Sequence, residues 1–296
     1  MKEKPFSKYQ ILANAVMIIW TLAIILPFIL LFMSSITDEN TLVANGYSFF
    51  PKKFSLASYS YIIKSGGQIL KAYGVSIGVT VVGTLLNVLL SALMAYPLSV
   101  KNLPGRNVMM FFVFFTMLFN GGIVPSYIMW TGTFHIKDTI FAQLLPNFLL
   151  SAWNVMMIRT YFTTSIPGGL YEAAEIDGAS QFTIFWKIVL PLGKPILVTM
   201  GTFAGLAYWN DWTNGLYYIV KNTGLYNVQN LLNQMVQNIQ FLTQSSNSNV
   251  TAAASTIPAT GIQMAIAFVA ILPIMLIFPS FQKYYAKGIA LGAVKG

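Results

Sequence analysis

The chain has 296 residues, 56% of them hydrophobic and 8% charged, with a mean hydropathy of +0.65. Soluble domains carry about 25% charged residues, so this composition cannot clothe a water-exposed surface and reads as a polytopic membrane protein. The net charge of +9 sits at segment ends rather than in one cluster, which argues against a nucleic-acid partner, and the absence of cysteine excludes disulfides and thiolate metal sites.

Lys2, Lys4 and Lys8 precede an apolar run from Ile11 to Met33. That run is longer than the core of a secretory leader and no small-residue cleavage site follows, so it is expected to be a retained first transmembrane helix after a cytoplasmic tail over 1–10. Ser34 to Lys71, rich in Gly, Pro, Lys and aromatic residues, is expected to form an irregular outer cap; with the first helix it makes up 11–71. Further stretches long enough to cross about 30 Å of hydrocarbon at 1.5 Å per residue are Ala72–Leu98, Asn107–Trp130, Thr139–Met157, Ile188–Tyr208 and Ile262–Phe281. The expected fold is therefore all-α, with six transmembrane helices and both termini cytoplasmic. Its core spans 72–281, with an inner loop over 165–187, an outer loop over 210–261 and a cytoplasmic tail over 282–296. In this orientation Lys52, Lys53, Lys64, Lys71, Lys137 and Lys221 lie outside. The larger share of the 17 Lys and Arg lies inside, in keeping with the positive-inside rule.

Within the outer loop, Leu231, Met235, Ile239 and Leu242 recur at helical spacing and predict a short amphipathic helix over Val228–Leu242. Gln244–Thr260 has the Ser, Asn, Thr and Ala composition of a loop.

The inner loop holds EAAEIDGASQFTIFWKIVLPLGKP, from Glu172 to Pro195. Pro167 suits the opening of a helix through Leu170, Ala173, Ala174 and Asp177, a face small enough for close approach by a partner. Gly178 suits the left-handed position after a helix, and Ser180 can cap a second helix carrying Phe182, Phe185, Val189 and Leu192. Pro191 and Pro195 are expected to bend the entry into the fifth span. The result is an elbow able to turn a push on its short helix into tilt of a span. Glu172, Glu175 and Asp177 form an acidic cluster suited to Arg or Lys of a partner. Read on periodicity alone, the same residues describe an interfacial elbow without a partner.

The run Glu172-Ala173-Ala174, Gly178 and Ile188-x-Leu190-Pro191 resembles the EAA loop of ATP-binding-cassette importer permeases. Asn120-Gly121-Gly122-Ile123-Val124-Pro125-Ser126-Tyr127, Trp209-Asn210-Asp211-Trp212 and the tail from Phe281 to Gly296 are similar to segments of MalG-like carbohydrate permeases, more closely their LplC/YtcP-like branch. The resemblance implies a permease subunit in a bacterial plasma membrane, moving a sugar or oligosaccharide by alternating access. It implies a heterodimer with a second permease, two cytoplasmic ATPase subunits that carry the ATP and Mg, and an extracytoplasmic solute-binding protein delivering to the loop between spans five and six. It further implies that Glu172, Ala173, Ala174, Glu175, Asp177, Gly178 and Ala179, with Leu190 and Pro191, form the coupling site.

No ionisable residue lies near the middle of a predicted span, which weighs against an ion-coupled carrier. Sugars pack on aromatic faces and bond to hydroxyl and amide groups, so Asn120, Tyr127, Tyr208, Trp209, Asn210, Asp211 and Trp212 are candidates for the solute pathway. Each also has a structural reading, as an interfacial aromatic or a helix-tying amide. The lone His135 makes no metal site. No catalytic constellation or Walker A loop is present, so no enzymatic activity and no cofactor are expected in the chain itself. A modified or anionic glycan is the alternative solute; a secondary carrier is a further reading.

Overall fold

The computed structural model describes residues 8–64, 66–244 and 259–293, and among these every regular element is helical except an antiparallel bridge between Thr37 and Phe54. In chain order the α-helices are α1 (Lys8–Ser35), α2 (Glu39–Asn45), α3 (Ala57–Lys64), α4 (Gly66–Ser99), α5 (Arg106–Leu118), α6 (Ile123–Ile128), α7 (Phe141–Leu144), α8 (Ala152–Ser165) and α9 (Gly168–Ile176). They continue as α10 (Gln181–Ile184), α11 (Leu190–Leu192), α12 (Lys194–Trp209), α13 (Thr213–Tyr218), α14 (Val228–Gln244) and α15 (Ala259–Ala293). Two π-helical turns, Met129–Thr133 and Phe185–Val189, extend α6 and α10.

Among the described residues three helices are long and apolar enough to cross a membrane, or up to five crossings if each of two bent pairs counts as one. α1 and α4 match the first two predicted spans. The predicted third span is not one helix: α5 and the α6 segment meet at 110°, because Phe119 leaves the helical region and Gly122 takes φ +86°. The predicted fourth span, Thr139–Met157, is divided into α7 and α8. Between them lie Pro146, whose missing N–H cannot continue a helix, and Asn147 at φ +67°. The predicted fifth span bends by 78° where Gly193 separates α11 from α12. The last helix continues to Ala293, through most of the segment expected to be a tail.

Two compact units emerge. The first holds described residues up to Ile69 and those between Leu232 and Pro273. Its outer cap is more regular than its composition implies. Glu39 accepts the N–H groups of Thr260 (2.9 Å) and Gly261 (2.8 Å), two orphan donors at the start of α15. Ile62 of α3 packs with Ile262, Ala265 and Ile266, while Ser35 Oγ lies 2.7 Å from Tyr59 Oη. The amphipathic helix expected near 228–242 is present as α14. Met235 packs in this unit's core; the Ile239 and Leu242 side chains, and most of Gln244–Thr260, lie outside the described residues.

The second unit runs from Leu70 to Leu231, with the chain from Ile274 onward. Its largest core joins Ala92, Ala95 and Tyr96 of α4 with Ile158 and Phe162 of α8, Ala174 of α9 and Met200 of α12. α12 lies close against α4 through glycines four residues apart. A methyl at Gly205 would stand 3.3 Å from Thr84 Oγ1, and one at Gly201 would stand 3.4 Å from Val88 Cγ2.

Candidate coupling elbow and outer polar knot

The elbow is built by its local sequence. Pro167 is the N-cap of α9 rather than its first turn (φ −61°, ψ 132°). At the other end the Gly178 N–H donates to the Glu175 carbonyl (3.0 Å) and the Ala179 N–H to the Ala174 carbonyl (2.9 Å), which is a Schellman closure. That closure sets Gly178 at φ +76°, and no heavy atom lies within 4 Å of a Cβ built there. Backbone conformation alone, not space, demands glycine. Ser180 then caps α10, its Oγ accepting the Thr183 N–H at 3.2 Å.

Side chains fix the bend. Gln181 Nε2 donates to Glu175 Oε1 (2.8 Å), and Tyr96 Oη donates to Gln181 Oε1 (2.6 Å), so the turn is bolted to α4. Ala174, Ile184, Phe185 and Val189 enter the unit's core; Phe182 and Leu192, expected on the same stripe, are exposed. The π turn at Phe185–Val189 shifts the helical register for Leu192, which follows it. Leu190 is half-buried, Pro191 exposed, and both lie in α11. A methyl at Gly193 would stand 2.5 Å from Phe162 Cε1 and 2.9 Å from the Val189 carbonyl oxygen, so α11 and α8 approach without clearance.

The outward side of α9 differs from the expected single face. Ala174 turns into the core, whereas Leu170, Glu172, Ala173, Glu175, Asp177 and Gly178 are exposed and Ala179 is half-buried. Ile176, not singled out from the sequence, is 86% exposed. An apolar patch ringed by carboxylates is what remains uncovered.

The candidate pathway residues separate into two sets. Tyr208 is buried, donates from Oη to the Leu144 carbonyl (2.8 Å), and lies so close to Gly83 that a methyl there would enter its ring. Trp209 is buried beside Tyr73, their centroids 6.3 Å apart. Asn210 and Trp212 are exposed. Asn120 Oδ1 accepts the Gly122 N–H (2.9 Å) at the α5–α6 break. Tyr127 stacks on Tyr218 at 5.8 Å and 12°.

Asp211 organises the C-terminal end of α12. Its Oδ1 accepts from Thr213 N (3.0 Å), Thr213 Oγ1 (2.7 Å) and Asn214 N (3.2 Å), while its buried Oδ2 has no hydrogen-bond partner among the described residues. Around it, Asn227 Nδ2 donates to the Asp211 carbonyl (2.6 Å) and to Gln143 Oε1 (3.1 Å), and Asn214 Nδ2 donates to the Pro146 carbonyl (3.1 Å). The fully buried Gln143 also donates to the Leu225 carbonyl. Asp138 makes a second tether: its Oδ1 accepts the N–H groups of Val220 (2.7 Å), Lys221 (2.7 Å) and Asn222 (3.2 Å). Those bonds, that of Lys221 foremost, hold its carboxyl below the usual range. Sequence reasoning missed Gln143, Asn214, Asn227 and Asp138 as members of this knot. The one available signal was the density of amides in an outer loop.

Burial pushes the Asp211 carboxyl above its ordinary value, and the Thr213 and Asn214 bonds oppose this only in part. With the folded pKa raised above the unfolded value of about 3.9, ionisation in place costs nothing below that pH and is fully felt above the folded pKa. Asp211→Asn is expected to keep the Oδ1 cap, remove that pH dependence and hold or raise thermal stability above the folded pKa of the carboxyl. Asp211→Ala is expected to lose about 1–3 kcal/mol, since a cap vanishes and the buried Asn214 N–H is orphaned. Melting curves of both variants between pH 4 and pH 8 check this; equal losses would refute the capping role.

Among the described residues no group of three or more His, Cys, Asp or Glu side chains is placed to hold a metal ion. Residues 72–291 match the family of binding-protein-dependent transport system inner membrane components. The chain is 36% identical to the polygalacturonan/rhamnogalacturonan transport system permease protein YtcP of Bacillus subtilis, over 97% of this chain and 98% of that one. It is also 36% identical to protein LplC of Bacillus subtilis, over 92% of this chain and 90% of that one. A chain from the crystal structure of a bacterial ABC transporter involved in import of the acidic polysaccharide alginate superposes with a TM-score of 0.79 and 26% identity, covering 95% of this chain and all of that one.

Proposed function

The chain belongs to the binding-protein-dependent transport system inner membrane component family, an ABC transporter permease family, and from that premise we propose that it is the membrane-embedded half of an ATP-driven sugar or oligosaccharide importer. The observation that carries this reading is the elbow: a short helix with an uncovered apolar and acidic face, bolted by Glu175, Gln181 and Tyr96 to the core that holds α12. The coupling site is Glu172, Ala173, Ala174, Glu175, Asp177, Gly178 and Ala179, with Leu190 and Pro191 passing motion into α12.

The working assembly is a heterodimer with a second permease, two cytoplasmic ATPase subunits that bind ATP and Mg, and an extracytoplasmic solute-binding protein, set in a bacterial plasma membrane. Six crossings with both termini inside assign the fourth to the segment over 141–165. Closure of the ATPase dimer presses α9, the elbow swings α12, and the cavity opens outward, a population shift driven by the partners. The pathway candidates are Asn120, Tyr127, Tyr208, Trp209, Asn210, Asp211 and Trp212. Tyr208 serves by shaping the wall, because its hydroxyl is engaged within the chain, and Asp211 by capping the turn after α12 through Oδ1.

Reconstitution with the partner subunits in proteoliposomes tests the reading. Uptake of a labelled oligosaccharide is expected to need internal ATP and the binding protein. Uptake that follows a proton or sodium gradient without ATP would refute it.

A further inference from the structure

Resting on that reading, we propose that Lys137, held against Tyr127, is a selectivity site for carboxylate-bearing sugars at the outer entrance of this subunit. Lys137 Nζ donates to Tyr127 Oη at 3.3 Å and stands 5.9 Å from the ring centroid. An ammonium has three donors, so two remain for a ligand. The side chain is exposed, and no carboxylate lies within 4.0 Å of its nitrogen among the described residues, where the ion pair found is Lys53–Asp38.

The adjacent carboxylate feels the Lys137 charge but makes its hydrogen bonds elsewhere. Asp138 Oδ1 already accepts three backbone N–H groups from residues 220–222, and that tether brings Lys221 into the same loop cluster. Two lysines and one internally engaged aspartate leave the cluster cationic. Positive charge on an outer loop runs against the topological bias that keeps Lys and Arg inside, so it calls for a purpose of its own.

The aromatic setting names the ligand class. Tyr127 is half-buried and fixed by its parallel contact with Tyr218, and the neighbouring Phe134 is 56% exposed, tilted on Trp130. A sugar ring offers a CH-rich face to such rings, and a uronate adds a carboxylate at its edge, within reach of a lysine ammonium. A neutral sugar satisfies only the first contact, and an acidic protein surface would satisfy only the second.

The test uses the assembled importer in nanodiscs, without the binding protein, and two probes of one size and linkage: trigalacturonate and its carboxyl-reduced neutral counterpart. Equilibrium binding is expected to favour the acidic probe by about tenfold at low salt, with the preference shrinking as ionic strength rises. Lys137→Gln should bring the ratio of the two affinities near unity, and Lys137→Arg should restore it. Equal binding of the probes, binding of neither, or a ratio unmoved in Lys137→Gln would overturn the proposal. So would a Lys137→Gln effect confined to affinity for the binding protein, which would place the lysine at a protein interface. None of these outcomes bears on whether uptake is ATP-driven, which the proteoliposome assay decides separately.

Discussion

Replacing Gly178 by valine is expected to cut ATP-driven uptake by at least about tenfold while the chain still inserts and assembles with its partners. The residue sits at φ +76° with open space where a side chain would go. A side chain there meets no neighbour; it meets its own backbone. Left-handed geometry costs a non-glycine residue about 1–2 kcal/mol, and more with a β-branch. The cheapest relief is to open the Schellman closure, losing the Ala179-to-Ala174 bond and turning a fixed angle into a loose joint. A loose joint absorbs the displacement that α9 should deliver. Asparagine tolerates this geometry, so Gly178→Asn should fall between wild type and valine. Solute moved per ATP hydrolysed, measured in proteoliposomes, reads the effect directly. A valine variant with unchanged stoichiometry would rule the lever out.

Gly193→Val should damage the chain differently, lowering stability as well as uptake. An added Cβ would stand 2.5 Å from a ring carbon of Phe162 and 2.9 Å from the Val189 carbonyl oxygen, and both neighbours are fully buried. The carbonyl belongs to the π turn, and the Gly193 N–H is bonded to it at 2.7 Å, so neither can withdraw cheaply. Overpacking of this kind costs about 1–3 kcal/mol. The melting temperature in detergent should drop by several degrees. A second change, Phe162→Leu, should recover part of that loss by removing the ring carbon, which general damage to the helix would not permit. Failure of the double variant to recover would place the defect elsewhere.

Hydropathy and punctuation made much of this architecture readable. α1, α4 and α15 are continuous apolar runs, and α14 shows its stripe plainly. The Gly178 closure and the Ser180 cap of the elbow were legible, because both act through their own backbone and nearest neighbours, while its buried and exposed faces were not. The bend entering the fifth span was legible from Pro191 and Pro195, which flank it; the breaks in the third and fourth predicted spans were not. Gly121-Gly122 and Pro146-Asn147 barely change an average over a membrane-length window, yet each redirects the chain. The amphipathic face assignment failed at Leu192, beyond the residue that a π turn inserts. The knot around Asp211 was illegible for another reason. Gln143 and Asn227 are distant in sequence, and Asp138 bonds backbone amides, which leave no mark in side-chain identity.

The contact between α4 and α12 also bears on how fast the machine can turn over. Interlocked side chains move past one another only by exchanging rotamers, which gives a packed interface its stepwise resistance. At Gly201 and Gly205 α12 has no side chain to interlock, and a methyl there would meet Thr84, Thr80 or Val88. Those two positions form a smooth stretch with little friction to axial gliding, beside the interlock that Tyr208 makes with Gly83. In the proposed importer such a contact leaves the tempo to the ATPase partners, and chilling should slow uptake no more steeply than it slows ATP hydrolysis.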